Sequence, residues 1–96
     1  MAKAKLVLHE KQVEEDESVI EIKIWSVTTG SLHPYGVKYS LVYIRGGKRM
    51  LGYDNAHGRD HRHYRGESEP YRFANIRTVL RDFRRDLDRI RQEEQR

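Results

Sequence analysis

The sequence predicts an α+β fold in which an antiparallel sheet of four to five strands carries one C-terminal helix packed on one face. Three observations predict it. Ile20, Ile22 and Ile24 alternate with Glu21, Lys23 and Trp25, the period of two of a half-buried strand. The pair Gly46-Gly47 separates two runs rich in β-branched and aromatic residues, "VKYSLVYIR" and "KRMLGY", as a tight hairpin requires. Ile76, Val79, Leu80, Phe83, Leu87 and Ile90 recur at spacings of three and four, which places them on one stripe of a helix. With 96 residues, the chain has room for one small domain, 1–96.

Taken in order, "AKLVLHE" reads as a first strand, and the acidic run Glu14-Glu15-Asp16-Glu17 suits the turn that joins it to the isoleucine strand as a hairpin. A loop with Gly30, Pro34 and Gly36 leads to the glycine hairpin. There a two-residue turn sets Arg45 against Lys48, Ile44 against Arg49 and Tyr43 against Met50. A polar loop follows, ending in the short strand "YRF". Asn75 is placed to cap the helix. Asp82, Arg84, Arg85, Asp86, Asp88 and Arg89 form its other face, with Arg84 and Asp88 one turn apart, and such a mixed charge run is expected to be solvated. The tail "RQEEQR" is expected to fray. The helix stripe is expected to cover the isoleucine face, which leaves Trp25 and some of the tyrosines on the other.

Composition narrows the function classes. The hydrophobic fraction is 36% and the charged fraction 35%, so much of the chain is surface or interface, and a homodimer or a protein partner would add burial. The absence of cysteine removes disulfides and thiolate ligands. The apolar run Leu6-Val7-Leu8 is too short for a signal-peptide core and no segment reaches membrane-spanning length, which predicts a cytoplasmic protein with no membrane contact. The formal charge of +4 is uneven: residues 1–37 hold four basic and six acidic residues, residues 38–65 seven and two, and residues 66–96 eight and seven. The positive middle segment, with Lys48, Arg49, Arg59 and Arg65, is where phosphates would be drawn.

The stretch "DNAHGRDHRHYRG", residues 54–66, concentrates the chemistry-bearing side chains and admits three readings. In the first, His61 and His63 project to one side of an extended segment, and His57 or Asp54 completes a divalent-metal site. The neighbouring arginines at 59, 62 and 65 raise the electrostatic cost of a cation there. In the second, no cofactor is needed. His61 and His63 act as base and acid around a scissile phosphate of RNA, Arg62, Arg65 and Arg59 stabilise the charge that develops, and Tyr53 or Tyr64 positions the 2′-hydroxyl or a base. In the third, the residues make a solvated loop and nothing more.

The string "GYDNAHGRDHRHYRGESEPYRF" follows residues 37–44 and precedes a short amphipathic helix, and this arrangement resembles the TumE-type toxin family over nearly the whole chain. "LHEK", "IEIKIW", "GYDN" and "HRH" occur in the family's order. The resemblance marks Tyr53, Asp54, Asn55, Gly58, His61, Arg62, His63, Glu69, Tyr71 and Phe73. Near position 60 the family has a small or basic residue or a second histidine, whereas here Asp60 precedes His61, where it would bond that ring or raise its pKa. The resemblance implies a toxin of a prokaryotic type II toxin–antitoxin module, held inactive by a helix-turn-helix antitoxin. Ribonuclease activity, with catalytic His61, His63, Arg62, Tyr53 and Asp54 acting on an RNA substrate, is the inference from the residues themselves. The alternative is a non-catalytic module that binds nucleic acid or protein through the basic segment 38–65.

Overall fold

The computed structural model describes residues 4–95. Strands β1 (Lys5–Val13), β2 (Val19–Ser26), β3 (Val37–Arg45), β4 (Lys48–Asp54), β5 (His61–Tyr64) and β6 (Glu67–Pro70) form one antiparallel sheet in chain order, followed by helix α1 (Ile76–Glu94). Each strand pairs with the one before it, so the sheet is an antiparallel meander with no crossover. The α+β class is as the sequence predicts, but the sheet has six strands in place of four to five.

The additional pair lies in the stretch expected to be a loop. Residues 61–64 and 67–70 form a hairpin, whereas "YRF" leaves the sheet. β6 is exposed along its whole length, so no apolar alternation marks it. Its turn does the specifying: Arg65 and Gly66 have φ of 50° and 89°, a left-handed pair that matches the twist of the flanking strands.

The β3–β4 turn takes its expected form, with φ of 59° and 75° at Gly46 and Gly47. Arg45 faces Lys48 and Ile44 faces Arg49, but Tyr43 faces Leu51 and not Met50, because a bulge gives β4 one extra residue. That single residue decides which β4 side chains point at the helix. Leu51 and Tyr53 turn inward beside Tyr43 and Leu41, and Gly52 and Asp54 turn outward.

Helix α1 starts where Asn75 Oδ1 accepts the Thr78 N–H at 2.8 Å. It lays Val79, Phe83, Leu87 and Ile90 against Ile22, Ile24, Leu41 and Leu51. Its polar face is only partly solvated: Asp82 and Asp86 are buried at 8% and 2% exposure. Four tyrosine hydroxyls donate to helix carboxylates, Tyr53 to Asp86 at 2.5 Å, Tyr71 to Asp82 at 2.6 Å, and Tyr64 and Tyr43 to Glu93 and Glu94 at 2.9 Å. Tyr39, Tyr43, Tyr53 and Tyr64 therefore all belong to the helix side, and of the aromatic residues expected on the other face Trp25 is the one found there. The tail expected to fray stays helical through Glu94, and its last residue, Arg96, lies outside the described residues. No helix among the described residues is long and apolar enough to cross a membrane.

Asp86 holds the tightest of these junctions. Besides the Tyr53 hydroxyl it accepts Arg62 Nε at 2.7 Å, and Arg62 Nη1 reaches Glu69 at 2.7 Å. Burial pushes the Asp86 carboxyl up, but the bonds from Arg62 and Tyr53 outweigh it and hold the group below its ordinary 3.8. Asp86→Ala leaves a half-buried guanidinium and a buried hydroxyl without their acceptor, and is expected to cost about 3 kcal/mol in urea unfolding. Tyr53→Phe, which removes one donor, is expected to cost about 1 kcal/mol. Because the folded pKa is depressed, the gap between parent and Asp86→Asn stays flat above pH 3.8 and closes as pH falls through the folded value.

Candidate active site on the open face of the sheet

Alternation along β5 divides the "HRHY" stretch between two surfaces. Arg62 and Tyr64 pair across the sheet with the inward residues Tyr53 and Leu51, and His61 and His63 pair with the outward residues Asp54 and Gly52. The two imidazoles therefore share the face opposite the helix, with ring centroids 6.1 Å apart. His63 Nε2 lies 3.4 Å from Asp54 Oδ2, and Arg49 Nη1 lies 3.9 Å from the same oxygen. A Cβ at Gly52 would meet Arg49 Cδ at 3.1 Å and His63 Cδ2 at 3.5 Å, so a bare residue there lets both side chains lie across β4 toward Asp54.

The electrostatics of His63 follow from these neighbours. Burial pushes its pKa down from 6.5, Arg49 and then His61 push the same way, and the charge and hydrogen bond of Asp54 oppose them without prevailing. The shift favours the neutral ring, the form that can accept a proton. Asp54 lies at ion-pair distance from the ring and Arg49 presents a cation beside it, so a proton acceptor and an anion-attracting group stand side by side.

The other residues singled out in the sequence lie elsewhere. Tyr53 and Arg62 point to the helix side and are engaged with Asp86, so the structure does not bring them together with the histidine pair. Arg65 sits at the β5–β6 turn and pairs with Glu93 at 3.1 Å. Lys48, Arg49 and Arg59 are exposed. His57 occupies a short 3-10 turn (Ala56–Gly58) with φ of 61°, and among the described residues no three His, Asp or Glu side chains are grouped as a metal would need. Asp60 does not bond the His61 ring as the sequence suggested. Its carboxylate accepts the Tyr39 hydroxyl at 2.6 Å, which ties the loop before β5 to the core.

Asn55 completes the "YDN" run in a third way. Its Oδ1 accepts the Tyr39 N–H at 3.0 Å and its Nδ2 donates to the Val37 carbonyl at 2.7 Å, adding a side-chain rung where the β3–β4 ladder ends. The residues missed by sequence reasoning are Asp82 and Asp86, assigned there to a solvated face. Their spacing with Val79 and Ile90 carried the signal, since 79, 82, 86 and 90 run along one side of a helix.

One sheet, backed by one helix and presenting paired histidines, an aspartate and an arginine on its open side, defines a small α+β protein. The family model described as Toxin TumE matches residues 3–92, nearly the whole chain, and the chain belongs to that family. It is thus a toxin component, and the family implies an antitoxin partner. Comparison with curated proteins and with solved structures found no match.

The two neighbours of His63 act in opposite directions, which gives a signed test. Arg49→Met removes a cation and is expected to raise the His63 pKa, whereas Asp54→Asn removes an attractive charge and is expected to lower it. Both are read from the pH titration of the imidazole carbon-bound protons by NMR. Movement of the two variants in the same direction would break the assignment.

Proposed function

We propose that this toxin cleaves RNA by metal-independent transesterification on the His61–His63 face. The observation that carries the reading is the outward pairing of two imidazoles 6.1 Å apart beside Asp54 and Arg49. Neutral His63 takes the proton of a ribose 2′-hydroxyl as that oxygen attacks the adjacent phosphorus. The new O–P bond forms as the P–O5′ bond breaks, and protonated His61 gives its proton to the departing O5′. The products are a 2′,3′-cyclic phosphate and a 5′-hydroxyl. Arg49 offsets charge on the non-bridging oxygens as the phosphorus becomes pentacoordinate, the part that the sequence reading gave to Arg62.

Arg62 and Tyr53 enter this scheme as positioning residues. Arg62 sits between the two histidines in the chain, and its bond to Asp86 fixes β5 on the helix, so both imidazoles are presented from a rigid strand. Lys48, Arg59 and Arg65 add attraction for a polyanion at longer range. A helix-turn-helix antitoxin would silence the toxin by laying an acidic segment over the same positive surface.

Labelled RNA incubated with the purified protein in chelator is expected to be cut, and His61→Ala and His63→Ala, shown by circular dichroism to be folded, are expected to lose at least about a hundredfold in rate. The double variant is expected to lose little more than either single one, because the two groups serve one proton relay. End-group analysis should find the cyclic phosphate. Cleavage that survives both substitutions, or that appears only on adding zinc or manganese, would overturn the reading.

A further inference from the structure

The helix covers one side of the sheet, and the histidine pair occupies only the β4–β5 end of the other. The cross-strand register continues that face as a row, His61 opposite Asp54, Asp54 opposite Ser40 and Ser40 opposite Lys23. In the adjoining row Lys38 faces Trp25, the only tryptophan of the chain, and the Lys38 ammonium stands 5.2 Å from the indole centroid. Glu21, on the same face, is occupied by His9 at 2.8 Å and Lys23 at 3.8 Å. The loop after β2 walls this end and leaves a cleft of about 470 Å³ lined by both apolar and polar residues, among them Val27, Leu32, Thr28, His33 and Lys38.

We infer that this face is a track for a single RNA strand, running across the sheet from the histidine pair to a base-stacking subsite formed by Trp25 and Lys38. The inference rests on the RNA-cleavage reading and adds a substrate form and a second contact point. The charge of the face suits a polyanion, with Lys23, Lys38 and Arg49 spaced across three strands. Trp25 supplies what a charge patch lacks, a flat apolar surface on which any base can stack. When a base enters, the exposed Lys38 ammonium leaves the indole for the phosphate of the same nucleotide, so the cation–π contact keeps the ring ordered and is exchanged for an ion pair.

The spacing selects single strands. From β5 to β2 is three strand intervals, roughly 14 Å, within the reach of the roughly four-nucleotide footprint of the smaller single-strand platforms. A duplex keeps its bases stacked on one another and offers Trp25 none. The subsite contributes to binding and not to bond breaking, because it lies several strands from the scissile phosphate.

Trp25 reports on its own occupancy. A single-stranded 2′-deoxy oligonucleotide, which lacks the attacking hydroxyl, is expected to quench the tryptophan fluorescence of the intact protein, and a blunt hairpin of the same composition is expected not to. His63→Ala is expected to keep the quenching. Trp25→Leu is expected to raise KM for a single-stranded RNA about tenfold with kcat little changed. Lys23→Gln with Lys38→Gln is expected to flatten the salt dependence of oligonucleotide binding measured by anisotropy. Quenching without cleavage by the parent would sink the catalytic reading and leave the track standing. Cleavage with no quenching, or with an unchanged KM in Trp25→Leu, would overturn the track and leave the catalytic reading standing. Equal quenching by the hairpin would overturn the single-strand assignment.

Discussion

The carboxylate of Asp86 is the point on which the two layers of this protein turn. A helix with its apolar stripe on a sheet has a hydrophobic attraction to that sheet but little to fix its position along the strands, because apolar contact is not directional. Asp86 supplies direction by accepting the Tyr53 hydroxyl from β4 and the Arg62 guanidinium from β5 at once. The burial that would otherwise penalise the charge is offset by these two donors. The same burial, together with the bond to Asp86, pushes the Tyr53 hydroxyl up and keeps it a donor. Tyr71, Tyr64 and Tyr43 repeat the arrangement along the helix, so the helix is registered at four places by hydrogen bonds that its hydrophobic stripe alone could not specify.

Fixing β5 in this way has a consequence on the far side of the sheet. Successive residues of a strand point in opposite directions, so anchoring Arg62 and Tyr64 inward commits His61 and His63 outward. The bulge in β4 makes the matching choice one strand away, turning Tyr53 to the helix and Asp54 to the histidines. The "YDN" and "HRH" runs are in this sense one device. Each alternates a residue that holds the structure with one that faces the open surface, and Asn55 then closes the ladder with its side chain.

The division also separates two kinds of electrostatics. On the helix side opposite charges are paired at hydrogen-bond distance, as Arg62 is with Asp86 and Glu69. On the open side the charges are looser, with Asp54 at 3.4 Å from His63 and 3.9 Å from Arg49, and the shift of His63 comes mainly from burial and only secondarily from a neighbouring cation. The balance lowers the His63 pKa and so favours the neutral imidazole, whereas the fully paired Arg62 stays charged.

What the sequence by itself determined was whatever depends on local spacing. The alternation of Ile20, Ile22 and Ile24, the Gly46-Gly47 turn and the three-four rhythm from Ile76 to Ile90 each state their structure within a few residues, because strand pleat, positive φ and helical period are local properties. The family resemblance was legible for the same reason, in contiguous strings such as "GYDN" and "HRH". The tertiary structure alone decided the rest. β6 has no apolar face to announce it and exists because Arg65-Gly66 turns the chain back along β5. The one-residue bulge sets Tyr43 against Leu51, and Asp82 and Asp86 look like solvated charges until the fold brings Tyr71, from the segment after β6, and Tyr53, from β4, to them. The division of the candidate stretch between two faces was hidden in the sequence for that reason. A stretch of like polar residues shows which side chains are available, but which of them share a surface depends on strand parity, and parity is fixed only when a partner strand and a helix are in place.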